Sequence, residues 1–250
     1  MILSPLEQFE IITIIPAYSR FLDISFTNSS FIMILGVILF LLLLLMVTSY
    51  GVRTIVPNRW QVIVESVYET ILEMVNDNIG SRGKKFFPFI FTLFTFILIS
   101  NLIGLIPYSF TITSHLVVTL TLSMIVFVGI NIICLKEHGI KMLGLFLPPG
   151  SDLGLAPLLV PIEFISYIFR LFSLAVRLFA NMMAGHTLLK VIAGFAWSMM
   201  AGGTILFISH FIPLIVLVVL IGLELGVALI QAYVFTILTC IYLNEAVNLH

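Results

Sequence analysis

The chain alternates between long apolar segments and short polar connections. Four intervals of at least 20 residues contain no Asp, Glu, Lys or Arg: 24–52, 86–135, 191–223 and 225–244. A helix needs about 20 apolar residues to cross the hydrocarbon core of a bilayer. The second interval is long enough for two helices, and Pro107 with the hydroxyl side chains of 109–114 divides it. The pattern therefore predicts an all-α membrane protein with about five membrane helices.

The predicted helices form a single integral membrane domain over 1–250. It consists of an N-terminal anchor helix at about 31–50, a helical hairpin at about 86–135 and a second hairpin at about 157–246. The last two helices are longer than a perpendicular span, so we expect them to be tilted, or bent at Pro161 and Pro213. The segment 201–203 is the predicted turn of this antiparallel hairpin.

The segment at about 59–80 has a different periodicity. Its acidic residues recur every four positions, at Glu65, Glu69, Glu73 and Asp77, and an apolar face runs beside them. This pattern predicts an amphipathic helix. It lies either in the membrane interface, which we favour, or packed on its own protein as a loop helix.

Composition excludes several classes of protein. Hydrophobic residues are 61% of the chain, charged residues 9%, and the net charge is −1. A soluble globular protein has about 25% charged residues, and nucleic-acid binding needs a basic surplus. A soluble enzyme and a nucleic-acid partner are therefore excluded. Cys134 and Cys240 fall in predicted apolar helices and match no disulfide or metal motif, so we expect no cofactor and no metal.

Basic residues in short connections predict the orientation of the chain. The connections after the first and third spans share one side of the membrane and carry Arg53, Arg59, Arg82, Lys84, Lys85, Lys136 and Lys141. The N-terminal segment carries Arg20 against three acidic residues, Glu7, Glu10 and Asp23. The positive-inside rule then places the C-terminus with the basic connections and the N-terminus on the other side.

Ionisable residues reappear in the final hairpin, where a charge at mid-depth costs at least ~2.5–3.5 kcal/mol. Glu163, Arg170 and Arg177 are seven residues apart and form a stripe on one helix, and Glu224, Gln231 and Glu245 form another. Folding the hairpin about Thr204 predicts three tiers of neighbours: Glu163 with Glu245, Arg177 with Gln231, and His186 with Glu224. Ser173 and Asn181 lie four residues either side of Arg177 and share its face.

The choice of groups suggests proton transfer. Carboxyl and imidazole groups exchange protons, whereas a guanidinium stays charged and cannot relay by losing its proton. The stripes thus place a fixed cation, Arg177, between two proton-exchanging sites, which suits two separate water-accessible pockets. The alternative to proton transfer is that these polar groups only pair with one another, as polar groups in lipid must. For Arg170, a structural ion pair with Glu163 and a functional role are both open. Asn101, Ser109 and His115 either cap turns or line a wet crevice.

The segment from Ser173 to His186, SLAVRLFANMMAGH, resembles subunit a of rotary F-type ATP synthases. Further likeness lies in 101–109 (NLIGLIPYS), in 223–225 (LEL) and in 230–238 (IQAYVFTIL). His at 186 with Glu at 224 is similar to the mitochondrial pattern, since bacterial relatives typically exchange these two residues. The opening residues 4–10 (SPLEQFE) resemble fungal versions.

The resemblance implies a non-catalytic, proton-translocating stator subunit in the mitochondrial inner membrane. Its N-terminus would lie in the intermembrane space and its C-terminus in the matrix. Protons would enter near His186 and Glu224, ride the ring of c subunits, and leave near Glu163 and Glu245, with Arg177 facing the ring. Implied partners are the c ring, other membrane-sector and peripheral-stalk subunits, and lipids. The chain has no phosphate-binding loop. The alternatives are an ion-coupled secondary transporter, whose internal repeat is not seen here, and a purely structural scaffold.

Overall fold

The computed structural model describes residues 4, 6–17, 25–51, 58–106, 109–139, 156–200 and 204–248. Within these residues, two short strands precede seven α-helices. The strands are β1 (Thr13–Ile15) and β2 (Phe26–Thr27). The helices are α1 (Asn28–Gly51), α2 (Arg59–Ile79), α3 (Phe87–Gly104), α4 (Leu116–His138), α5 (Ala156–Met200), α6 (Thr204–Ser209) and α7 (Phe211–Val247).

In the part of the chain that the structure describes, five segments are long and apolar enough to cross a membrane, which confirms the predicted fold class. They are Asn28–Leu45, Phe87–Gly104, Leu116–His138, Pro157–Met200 and Phe207–Val247. The last two form a hairpin-like arrangement, although the predicted turn at 201–203 lies outside the described residues. None of the Asn28–Leu45 window is buried inside the chain. Its apolar surface is therefore available to lipid or to another protein.

A break between α6 and α7 shortens the final helix relative to the prediction. The helix breaks at His210, and α7 begins at Phe211. Pro213 has no N–H to donate to the carbonyl of Ser209, so it is accommodated in the first turn of a helix but not in its interior. Pro161, by contrast, lies inside α5 near its beginning. The break follows directly from the position of Pro213.

Helix α2 has the predicted two faces. Ile71, Met74, Val75 and Ile79 are buried, and all four residues of the acidic row are exposed. Gly80 ends the helix with a φ of 76°, a left-handed conformation that favours glycine. The helix itself is confirmed, whereas its placement in the membrane interface stays a prediction.

The N-terminal hairpin has no counterpart in the predicted elements. β1 pairs with β2 in antiparallel fashion, and α1 begins one residue after β2. Asn28 fixes this junction, because its side chain accepts a hydrogen bond from the Ile12 amide and donates one to the Glu10 carbonyl. Residues 10–12 are thus tied to the beginning of the first span.

The chain divides into two compact units, which we describe separately. The first contains residues 1–43, 95–115 and 178–232, and the second contains 44–94, 116–177 and 233–250. Four helices, α1, α3, α5 and α7, contribute residues to both. Of the residues used for the orientation argument, Arg20, Asp23, Arg53 and Lys141 lie outside the described residues.

Candidate functional site

In the first unit, α5 and α7 bring His186 and Glu224 together. His186 Nδ1 lies 3.5 Å from Glu224 Oε1, and the two side chains are 13% and 5% exposed. The predicted tier of these two residues is therefore observed. An imidazole and a carboxylate at this distance can pass a proton through one water or a small movement of either side chain.

Several polar atoms around this pair are buried without a hydrogen-bond partner in the described part of the chain: both oxygens of Glu224, His186 Nε2, Gln231 Nε2 and Asn101 Oδ1. A cavity of about 320 Å³ adjoins Glu224, with Asn181 and Gly185 also in its wall and apolar side chains around the rest. Buried polar groups are satisfied by protein or by water, and a cavity of this size holds several waters. The site is therefore suited to hydration.

Two amides extend the polar cluster of the first unit. Asn181 donates from Nδ2 to Gln231 Oε1 at 2.9 Å. Asn101, fully buried on α3, donates from Nδ2 to the carbonyl of Ala228 at 3.2 Å, one helical turn after Glu224. Asn101 therefore contacts the Glu224 helix directly, which neither of the roles considered for it from the sequence anticipated.

The connection between α3 and α4 is also polar and partly buried. Ser109 Oγ donates to the carbonyl of Ile103 at 2.5 Å, so its role is the predicted turn cap. His115 stacks on Phe110 with ring centroids 4.8 Å apart. Burial lowers the pKa of His115, because desolvation disfavours the imidazolium form. This histidine is therefore neutral at neutral pH.

Gly185 allows the close approach of α5 to Glu224. A Cβ built on Gly185 would lie 2.6 Å from Glu224 Oε1 and 3.3 Å from its Cγ. Any side chain at this position would therefore displace the carboxylate. Nothing in the apolar pattern marked Gly185, because a close approach depends on which residue of the opposite helix faces it.

In the second unit, Arg170 lies between Glu163 and Glu245. Its Nη1 donates to Glu245 Oε2, and its Nη2 lies 4.0 Å from Glu163 Oε1. The predicted direct pairing of the two carboxylates is therefore replaced by a bridge. The physical reason is charge: two carboxylates repel, and a guanidinium between them offsets the repulsion. The ion pair considered for Arg170 and Glu163 is present, with Glu245 as its closer partner.

Arg177 and Ser173 are both exposed on α5, as is Asn181 one turn further on. Exposed apolar side chains surround them on the same helix, among them Phe172 and Val176 at 46% each. A guanidinium facing lipid at this depth would be costly, so this face calls for a polar or charged partner. Arg177 and Gln231 belong to different units, and their predicted pairing stays a prediction.

These features define a multi-pass helical membrane protein with proton-exchanging groups buried in its final hairpin. The ATP synthase A chain family matches residues 30–244. The chain is similar to ATP synthase subunit a of Chondrus crispus, with 55% identity over 100% of this chain and 98% of the relative. Subunit a of Pylaiella littoralis is 56% identical over 99% of each chain, and that of Marchantia polymorpha 53% identical over 100% of each. The chain belongs to the ATP synthase subunit a family.

The relatives correct one expectation. They come from a red alga, a brown alga and a liverwort, and others from flowering plants. The fungal likeness inferred from residues 4–10 is therefore not supported. A short N-terminal segment is a weak marker of lineage, since few of its residues are constrained by the membrane helices.

Proposed function

We propose that this chain is the proton-translocating stator subunit of a rotary ATP synthase. The carrying observation is the buried His186–Glu224 pair, with Glu224 in the wall of a cavity of about 320 Å³, within a chain that belongs to the subunit a family. Nucleotide chemistry belongs to other subunits, and this one is non-catalytic. It acts as a single integral membrane domain in the mitochondrial inner membrane, with its N-terminus in the intermembrane space and its C-terminus in the matrix.

Proton entry uses the polar cluster of the first unit. A proton from the intermembrane space reaches Glu224 through the cavity, with His186 as the neighbour of Glu224. Asn181 lies in the cavity wall and is hydrogen-bonded to Gln231. From Glu224 the proton neutralises a membrane-buried carboxylate on the c-subunit ring. Neutralisation lets that carboxylate leave the polar face and enter lipid, because a neutral group is far less costly there than an ion.

Proton exit uses the charged cluster of the second unit. Glu163 precedes Arg177 by 14 residues on α5, and His186 follows it by nine, a rise of about 21 Å and about 13.5 Å respectively. The exposed Arg177 faces the ring between the two routes, with Ser173 and Asn181 beside it. Its permanent charge repels a passing proton and attracts the ionised ring carboxylate, so protons cross only by riding the ring.

The energetic reason for this separation is the membrane potential. One elementary charge crossing ~100 mV is worth about 2.3 kcal/mol. A continuous water path would dissipate that energy as heat. Two half-channels separated by a fixed cation preserve it for rotation.

Isolation of the complex tests the proposal against a secondary transporter. Purified through a tag on this chain, the preparation should contain a ring of identical small helical subunits together with other membrane-sector and peripheral-stalk subunits. After reconstitution, ATP should acidify the vesicle lumen. Recovery of the chain alone, with solute uptake driven by an ion gradient, would instead favour the transporter.

A further inference from the structure

The charged cluster of the second unit is asymmetric about Arg170. One nitrogen of its guanidinium is hydrogen-bonded to Glu245, whereas the carboxylate of Glu163 lies 4.0 Å away, beyond hydrogen-bond distance. Both glutamates have the same side-chain exposure, 39%. Solvent access therefore does not distinguish them, but their contact with the cation does.

A third contact fixes the cation on the Glu245 side. The guanidinium carbon lies 5.5 Å from the ring centroid of Tyr242, which stands one helical turn before Glu245 on α7. Cation–π and charge-assisted hydrogen bonds both favour this position. Arg170 is thus held by two residues of α7, and Glu163, seven residues before it on α5, is the less constrained carboxylate.

We propose that the two carboxylates have different roles. Glu163 takes up and releases the protons that leave the ring on the matrix side, and Glu245 is the fixed counter-ion of Arg170. The proposal rests on the function proposed above and divides its exit route between two residues. A proton leaving the ring carboxylate binds one oxygen of Glu163, is then transferred to water, and leaves Glu163 as a carboxylate again. Arg170 is a positioning residue: it holds Glu245 in a hydrogen bond and leaves Glu163 free to bind a proton.

Single and double substitutions distinguish these roles in the reconstituted complex. Glu245→Gln leaves Arg170 without its partner, so the guanidinium turns to Glu163 and ATP-driven proton pumping falls by about tenfold. The double variant Arg170→Gln with Glu245→Gln removes both charges together and recovers to within about twofold of the unmodified protein, since coupled residues give non-additive effects. Glu163→Gln also falls by about tenfold, but adding Arg170→Gln does not restore it.

A pH profile gives a readout that a purely structural role would not change. Glu163→Asp should shift the pH dependence of pumping, whereas Glu245→Asp, which keeps the counter-ion, should leave it unchanged. All rates are divided by the amount of assembled complex. Should Glu245→Gln fail to assemble, the double variant with Arg170→Gln carries the test, because the cluster then keeps the formal net charge that it has in the unmodified protein.

Two results would overturn the division of roles. One is a double Arg170→Gln, Glu245→Gln variant that stays at the level of Glu245→Gln alone, which would make Glu245 itself a proton carrier. The other is normal pumping by Glu163→Gln. Failure of the underlying function looks different, because Arg177→Ala would then also pump normally.

Discussion

Arg177→Ala is expected to abolish ATP-driven proton pumping while leaving the complex assembled. The side chain is exposed on α5, so its removal leaves no cavity in the core and breaks no buried packing. What is lost is the fixed positive charge that attracts the ring carboxylate, and loss of one such preorganised charge typically lowers a rate by about 10²–10³-fold. Pumping is measured as quenching of a pH-sensitive dye in reconstituted vesicles.

Arg177→Ala should also make the membrane sector leak protons. Without the cation, a proton can pass between the two routes without rotation, so downhill proton flux through the membrane sector rises. Lys190→Ala is the matched control, since Lys190 is a cation of the same helix whose Nζ lies 3.4 Å from the Ser4 carbonyl oxygen. It should pump normally. Pumping by Arg177→Ala at the control rate would refute the role given to the arginine.

Gly185→Val should lower pumping by about 10²-fold, because a displacement of about 1 Å at a reacting group costs that much. The Cβ of the new side chain would meet Glu224 Oε1 at 2.6 Å, and the two methyl groups of valine need more room still. The carboxylate must move away from His186 and into the cavity. ATP-driven pumping moves protons out through this cluster, so the loss is expected at the step in which Glu224 releases its proton to the intermembrane-space side.

Gly194→Val is the control for this substitution. Gly194 lies on the same helix, and a Cβ built there meets nothing within 4 Å. Any general effect of valine on the helix is therefore shared, and only the contact with Glu224 differs. Equal pumping by the two variants would show that the position of the Glu224 carboxylate does not limit proton transfer through this cluster.

The spanning helices could be predicted from sequence because the bilayer imposes a length and a polarity on each of them. The amphipathic helix α2 could also be predicted, since an acidic residue recurs at every turn of one face. The N-terminal hairpin was not, because two strands of three and two residues carry too little periodicity. The break at His210 depends on a single missing N–H, that of Pro213.

The site could be predicted only in part. Folding the hairpin about Thr204 predicted the His186–Glu224 contact, near the turn where an antiparallel hairpin is most constrained. The same folding placed Glu163 and Glu245 in one tier, and both lie beside Arg170. It did not predict the arginine between them, because it ignores the reach of a side chain and the sign of its charge. Arg170 is long enough to bridge the carboxylates, and electrostatics selects that bridge. The roles of Asn101 and Gly185 could not be predicted, because they depend on contacts with α7 that the spacing of residues along the chain does not indicate.

The two polar clusters are expected to reach water on opposite sides of the membrane. In a background with Cys134 and Cys240 replaced by serine, single cysteines at Val227 and Glu163 can be labelled with an impermeant cationic thiol reagent in oriented vesicles. Val227 lines the cavity beside Glu224, and an exposed reference cysteine at Lys136 marks the basic side. The prediction is that the cysteine at 163 reacts from the Lys136 side and the cysteine at 227 from the other. Reaction of both from one side would contradict two separate half-channels.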